Sequence, residues 1–247
     1  MKLFGLIGYP LEHSASPDFF QKKIEKEGIQ DAGYRLFPLK DISELPRLVA
    51  DIPDLAGLNV TSPFKRAVLP YLTRTDLAAA TIGAVNTVKV VHENGTVALH
   101  GYNTDYIGFA ESLLEVMPHT PRRALILGTG GASRAVAYAL TMLHVTIKTV
   151  SRSHGKGSLT YNELTAELVR NHPLIVNATP LGMVPNTGLC PDFPYELITG
   201  RHFLFDLIYN PEETEFLKRG RLRGARTCNG MSMLRNQAEA SYKIWGL

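Results

Sequence analysis

Cysteine is scarce in this chain: Cys190 and Cys228 are the only two in 247 residues. Two distant thiols without metal-ligand spacing exclude a disulfide framework and a zinc cluster, and both are expected to be ordinary reduced thiols. Net charge is scarce as well. Lys and Arg number 26 against 23 Asp and Glu, a balance of +3. No basic run is interleaved with aromatics, so a nucleic-acid partner is not expected. Long apolar runs are missing, and nothing approaches the ~20 residues that span a membrane. The short run Leu3–Ile7, interrupted by Gly5 and followed by Gly8 and Pro10, reads as a strand rather than a signal peptide. These absences lead to an expectation of a cytoplasmic protein with no metal and no membrane partner.

What is present is an ordinary globular composition, 45% hydrophobic and 20% charged, long enough for one large domain or two small ones. Its most telling stretch runs from Leu125 to Ser133, LILGTGGAS. The apolar run Ala124–Leu127 reads as a buried parallel strand. A glycine turn follows, and a helical pattern then covers Arg134–Met142. Strand, glycine turn and helix in that order form the context of a dinucleotide-binding fingerprint. Gly128 permits the tight turn and Gly130 lets backbone approach a pyrophosphate. Gly131, Ala132 and Ser133 are small enough for the helix N-terminus to meet the anion.

The next strand pattern, Val145–Val150, ends in Ser151-Arg152-Ser153, with Lys156 just beyond. An NAD-binding protein is expected to carry Asp or Glu here for the ribose 2′-hydroxyl. This chain offers no carboxylate before Glu163. A planar guanidinium at Arg152 suits a 2′-phosphate, which points to NADP.

The nucleotide-binding pattern starts near residue 122, so about half of the chain precedes it. That half alternates strand and helix: a strand at Lys2–Gly8, a helix at Pro17–Glu27, and a strand at Tyr34–Pro38. A helix at Ser43–Ala50 and a strand at Ala56–Val60 follow. Thr87–Val91 and Thr96–His100 form a hairpin across Glu93-Asn94-Gly95. A helix ends at Pro118, where a linker is expected. Alternation predicts a second α/β layer. The final helix, Met231–Trp245, is expected to pack back on the first lobe and leave a cleft between two lobes.

Four polar motifs fall where strands should end: Gly8–Pro17, Asn59–Lys65, Gly83–Thr87 and Asn103-Thr104-Asp105. Open α/β sheets bind ligands at the carboxyl ends of their strands. Ser, Thr and Asn with one Lys and one Asp suit a small polyhydroxylated acid. Plainer roles are also open: Ser14 and Ser16 suit helix capping, Asn59 and Asn103 suit turns, and Lys65 alone suits a solvated helix face.

Taken together, and in this order, these motifs resemble those of the shikimate dehydrogenase family from Ile7 to Gln237. The resemblance implies a two-lobed α/β fold. Residues 1–105 with 231–247 would form a substrate-binding and catalytic domain, and 106–230 a Rossmann domain for NADP. It implies reversible reduction of 3-dehydroshikimate to shikimate, on the path to chorismate and the aromatic amino acids. Ser14 and Ser16 would hold the substrate carboxylate. Thr61, Asn86, Asp105 and Gln237 would hold its hydroxyls, with Tyr209 beside them. Lys65 and Asp105 would be the catalytic pair, Lys65 moving the proton. Gly128, Gly130, Gly131, Ala132, Ser151, Arg152, Ser153, Lys156, Thr179, Gly230 and Met233 would contact NADP. A monomer or homodimer is expected.

Three departures stand out. Ser151 replaces the usual Asn before Arg152, Tyr102 stands where a small polar residue or Asp is frequent, and only a stub of crossover helix fits between Lys156 and Leu164. Two alternatives stay open: a quinate/shikimate dehydrogenase of wider range, and a non-catalytic NADP-binding regulator.

Overall fold

The computed structural model describes residues 1–12, 16–93, 95–155 and 158–247. The chain forms two compact units, Met1–Thr104 with Gln237–Leu247, and Asp105–Asn236.

In the first unit β1 (Lys2–Gly8) leads to α1 (Ser16–Lys26) and β2 (Ala32–Pro38). Then come α2 (Leu45–Asp51), β3 (Leu55–Val60), α3 (Phe64–Ala67), β4 (Arg74–Thr75) and α4 (Leu77–Ile82). The hairpin of β5 (Thr87–Glu93) and β6 (Thr96–Tyr102) closes the series. The sheet order is β2-β1-β3-β5-β6-β4. β1 runs parallel to β2 and β3, whereas β5 is antiparallel to β3 and β6. The carboxyl ends of β1, β3 and β6 therefore meet the start of β5 at one end of the sheet. β1 is a continuous apolar run because both of its faces are covered; Leu3, Phe4, Leu6 and Ile7 are all buried.

The second unit opens with α5 (Asp105–Val116). Phe109 and Leu113 on this helix pack with Ile126, Val136 and Phe205. That burial ties α5 to the second unit, so the division falls at Thr104/Asp105 and not at the linker expected near Pro118. After it come β7 (Arg123–Leu127), α6 (Gly131–Met142), β8 (Thr146–Ser151), β9 (Leu159–Thr160) and α7 (Ala166–Arg170). The unit continues with β10 (Leu174–Asn177), β11 (Phe203–Asp206), α8 (Glu215–Leu222) and β12 (Arg226–Cys228). All pairs in this sheet are parallel. Its order, β12-β11-β10-β7-β8-β9, is the 3-2-1-4-5-6 arrangement of doubly wound dinucleotide-binding sheets, with the switch point between β7 and β10. The stretch expected to hold only a stub of crossover helix carries the two-residue β9 and a single 3₁₀ turn, Tyr161–Glu163.

The last helix, α9 (Met231–Trp245), begins in the second unit and ends in the first. In the first unit Ala238, Tyr242 and Trp245 are buried with Phe4, Phe20 and Tyr34. The Trp245 ring lies 4.8 Å from that of Phe4 and 5.4 Å from that of Phe20. Its indole N–H donates to Val88 O at 2.9 Å, so the polar edge of this large apolar side chain is satisfied. Packing of the C-terminal helix on the first unit was expected, and the fold class agrees with the sequence. Among the described residues no helix is long and apolar enough to cross a membrane.

Candidate active site

Antiparallel pairing sets Asn59 opposite Thr87, and Thr87 opposite Tyr102. The described residues of the four polar motifs thereby converge at one end of the first sheet. The Val60 N–H donates to Asn86 O at 2.8 Å, Thr61 N–H to Ile7 O at 2.9 Å and Val85 N–H to Lys65 O at 2.7 Å. These bonds hold the Thr61, Lys65 and Asn86 loops together.

Beneath the loops lies a buried polar network. Tyr34 Oη donates to Asn59 Oδ1 at 2.8 Å and also bonds the Ser16 side chain. Asn59 Nδ2 donates to Ser241 Oγ at 3.1 Å, and that hydroxyl lies 2.7 Å from Thr87 Oγ1 and 3.1 Å from Thr104 Oγ1. Asn86 Nδ2 donates to Thr104 Oγ1 and to Gln237 Oε1, each at 2.9 Å. Every described buried side-chain polar atom has a partner, as an apolar core demands. Burial pushes the Tyr34 phenol well above its usual range, so it stays a neutral donor. The network runs from Ser16 to Gln237, both half-buried, through the buried residues Tyr34, Asn59, Ser241, Thr87, Thr104 and Asn86.

Of the residues assigned to substrate, the structure thus brings Ser16, Thr61, Lys65, Asn86 and Gln237 to one region of the first unit. Lys65 sits half-buried in the single turn of α3. Asp105 is buried as the first residue of α5 in the second unit, directly after Thr104. Tyr209, half-buried, follows β11 in the second unit. Ser14 lies outside the described residues, as does Lys156.

In the second unit Gly128 adopts φ +111°, and a Cβ there would meet Ala178 O at 3.0 Å, so only glycine serves. The Ser133 hydroxyl donates to Gly128 O at 2.6 Å and ties the turn to α6. Gly130 is the N-cap of α6, and a Cβ built on it meets nothing within 4 Å. This open cradle at the start of a twelve-residue helix presents the N–H groups of Gly131 and Ala132, which have no intrahelical acceptor, and it fits a pyrophosphate.

Ser151 ends β8, and its buried hydroxyl donates to Ser153 O. It therefore shapes the loop that carries Arg152. The Arg152 guanidinium is exposed, near enough to lower the Tyr161 phenol, which burial nonetheless pushes up to about 12. Thr179 N–H and Oγ1 donate to Asn177 Oδ1 at 3.0 and 2.7 Å. Gly230 is wedged against Leu207 O with no space for a side chain. Met233 is placed differently from the others: it is buried in the core formed by Phe109, Val136 and Phe205.

Against known proteins, residues 6–88 match the shikimate dehydrogenase substrate binding domain. The NADP(+) shikimate dehydrogenase of Methanococcus maripaludis strain C6 is 39% identical over an alignment 263 positions long, gaps included, that covers 99% of this chain and 91% of its own. The chain belongs to the shikimate dehydrogenase family. Shikimate 5-dehydrogenase of Thermus thermophilus, solved with NADP(H) and shikimate, superposes with a TM-score of 0.87 at 32% identity, covering 100% of this chain and 94% of that one. Quinate dehydrogenase of Corynebacterium glutamicum, solved with NAD, gives 0.85 at 28% identity, covering 100% and 94%.

Sequence reasoning gave no role to Tyr34, Ser241 or Thr214, and it noted Thr87 only as the last residue of the Gly83–Thr87 motif and Asp206 only as the first residue of the stretch leading to Tyr209. A partial signal existed for Ser241, which sits one helical turn after Gln237 and bonds Gln237 O at 3.0 Å. Asp206 ends an apolar strand, where a carboxylate is uncommon. It is fully buried and accepts from Asn177 Nδ2 at 3.1 Å, Ile208 N–H at 3.0 Å and Thr214 Oγ1 at 2.6 Å. Burial raises its carboxyl to about 6 against these three donors.

Proposed function

We propose that this chain catalyses the reversible, NADP-dependent reduction of 3-dehydroshikimate to shikimate. The observation that carries the reading is the polar assembly linking Ser16, Asn86 and Gln237 in a chain whose second unit has a dinucleotide-type glycine turn and Arg152 after the next strand. The relatives named for this reaction match along nearly the whole length. NADPH, when bound, supplies the hydride for the C3 carbonyl.

The chain's own residues do the rest. Ser14 and Ser16 hold the carboxylate of the acid, and Thr61, Asn86 and Gln237 hold its hydroxyls, with Tyr209 beside them. As the carbonyl oxygen gains negative charge, the Lys65 ammonium stabilises it and delivers a proton; in the reverse direction the amine accepts that proton. Asp105 orients both the hydroxyl and the ammonium. The α6 N-terminus, from Gly128 to Ala132, receives the pyrophosphate. Arg152, with Ser151, Ser153 and Lys156 beside it, takes the 2′-phosphate, which NAD lacks. Thr179, Gly230 and Met233 belong to the nicotinamide side. On this reading the enzyme works in the cytoplasm as a monomer or homodimer on soluble metabolites, without nucleic acid or membrane.

The deciding assay follows NADPH absorbance with purified protein, shikimate and NADP+, beside the NAD+ and quinate pairings. Rapid reduction of NADP+ by shikimate is expected. Turnover chiefly with quinate or NAD+ would replace this reading by a quinate dehydrogenase. NADP+ binding with no turnover in any pairing would leave a binding protein.

A further inference from the structure

Asp206 and Asn177 face each other in register at the carboxyl ends of β11 and β10. The Asp206 carboxylate has three donors, and each belongs to a different piece of chain. Asn177 Nδ2 comes from the end of β10, Ile208 N–H from the loop after β11, and Thr214 Oγ1 from the N-cap of α8. Asn177 passes the constraint on, because its Oδ1 receives both the N–H and the hydroxyl of Thr179. Ile208 passes it on as well, through Gly230 N–H donating to Ile208 O at 3.0 Å. One buried carboxylate therefore fixes the Ala178–Thr179 loop, the Leu207–Tyr209 loop and Gly230. Hydrogen bonds to a charged acceptor are roughly twice as strong as neutral ones, which makes the arrangement stiff.

The strand order decides which part of a dinucleotide meets these loops. β11 lies three strands from β8, whose end carries Arg152. At about 4.8 Å per strand that separation is roughly 14 Å. The glycine turn after β7 lies between them, and the Ala178–Thr179 loop abuts Gly128. A dinucleotide with its 2′-phosphate at Arg152 and its pyrophosphate at the turn brings its nicotinamide to the Asp206 side.

We infer that Asp206 is a positioning residue for the nicotinamide end of the cofactor, acting through Asn177, Thr179 and the backbone of Ile208 without touching the ligand. The inference rests on the reading that the second unit holds NADP.

The test compares two ligands by titration calorimetry: NADP+, and adenosine 2′,5′-bisphosphate, which carries the 2′-phosphate but no nicotinamide. Asp206→Ala strands the Asn177 and Ile208 donors and is expected to raise the Kd for NADP+ roughly tenfold or more. The Kd for the bisphosphate should stay within about twofold. Asp206→Asn keeps one acceptor oxygen for those donors and should return the NADP+ value to within about threefold of wild type. Equal weakening of both ligands, or unchanged NADP+ binding, overturns the inference. If Asp206→Ala does not fold, Thr214→Val serves: at constant shape it removes one donor to Asp206 together with the α8 cap to Leu217 N–H, and it should weaken NADP+ about threefold or more with the bisphosphate unaffected. Wild-type protein that binds neither ligand overturns the NADP reading itself, a result distinct from any effect of the variants.

Discussion

Asn86 donates one amide hydrogen to Gln237 Oε1 and the other to Thr104 Oγ1, both at 2.9 Å. Its own carbonyl is occupied too, by Thr104 N–H at 2.6 Å. Asn86 thereby fixes which way the Gln237 amide faces: Oε1 is engaged, and Nε2 is left as the group that can donate. On the proposed reading, a substrate hydroxyl at Gln237 acts as the acceptor. Gln237→Glu keeps the oxygen facing Asn86 but offers no N–H. It is expected to raise the KM for shikimate by about tenfold to a hundredfold, the range for losing a bond of this kind, and to leave the KM for NADP+ unchanged. Steady-state kinetics with each ligand varied in turn checks this, and an unchanged shikimate KM would remove Gln237 from the substrate site.

Lys65 is the proposed proton-transfer group, and general acid–base help is typically worth ~10²–10⁴ in rate. Lys65→Ala should lower kcat by about that factor with little change in the KM for shikimate. A loss confined to KM would make Lys65 a binding residue and not a catalytic one.

Arg152 is exposed on the loop after β8, and no carboxylate follows it before Glu163. Arg152→Ala is expected to raise the KM for NADP+ roughly tenfold or more while that for NAD+ barely moves. Added salt should weaken NADP+ binding to wild-type protein more than to the variant, because an exposed charge pair is screened. Equal changes for the two cofactors would count against a 2′-phosphate contact at Arg152.

The parts legible in the sequence were those in which local chain carries the whole signal. The glycine turn between β7 and α6 needs Gly128 for its φ of +111°, and apolar periodicity marks the strand and helix on either side. The network under the first site was not legible, because its partners are remote in sequence. Tyr34 meets Asn59 across 25 positions, and Asn59 meets Ser241 across 182. Nothing near Ser241 distinguishes it from a helix-surface serine until α9 is docked on β5. Asp206 is similar. Its partnership with Asn177 exists only once β10 and β11 are paired, and its burial depends on the order of the whole sheet. The linker near Pro118 failed for a related reason. Proline ended α5 as expected, but core contacts made by Phe109 and Leu113, not the helix end, decide the unit to which α5 belongs.

Asp206 also gives the protein a distinctive pH response. Burial raises its carboxyl from 3.8 to about 6 in the folded chain. The folded state thus holds this proton more tightly than the unfolded state does. Between about pH 4 and 6 the folded carboxyl is still protonated while the unfolded one is not, so this group's contribution to stability falls as pH rises through that window. At neutral pH the ionised, buried carboxylate costs on the order of 3 kcal/mol relative to its unfolded counterpart. Glu27, Asp41, Glu163, Glu213 and Glu215 act in the opposite sense, since hydrogen bonds to Lys23, Ser43, Thr160, Arg221 and Arg219 lower their carboxyls. Their contribution is lost as pH falls, and it is common to wild type and to an Asp206 variant. The difference in unfolding free energy between wild type and Asp206→Asn isolates the one group. Measured by denaturant titration at several pH values, that difference should move against the wild type as pH rises from about 4 to 6 and stay level above about 7. A difference independent of pH across this range would mean that Asp206 titrates as an ordinary carboxylate, and that Asn177, Ile208 and Thr214 fully offset its burial.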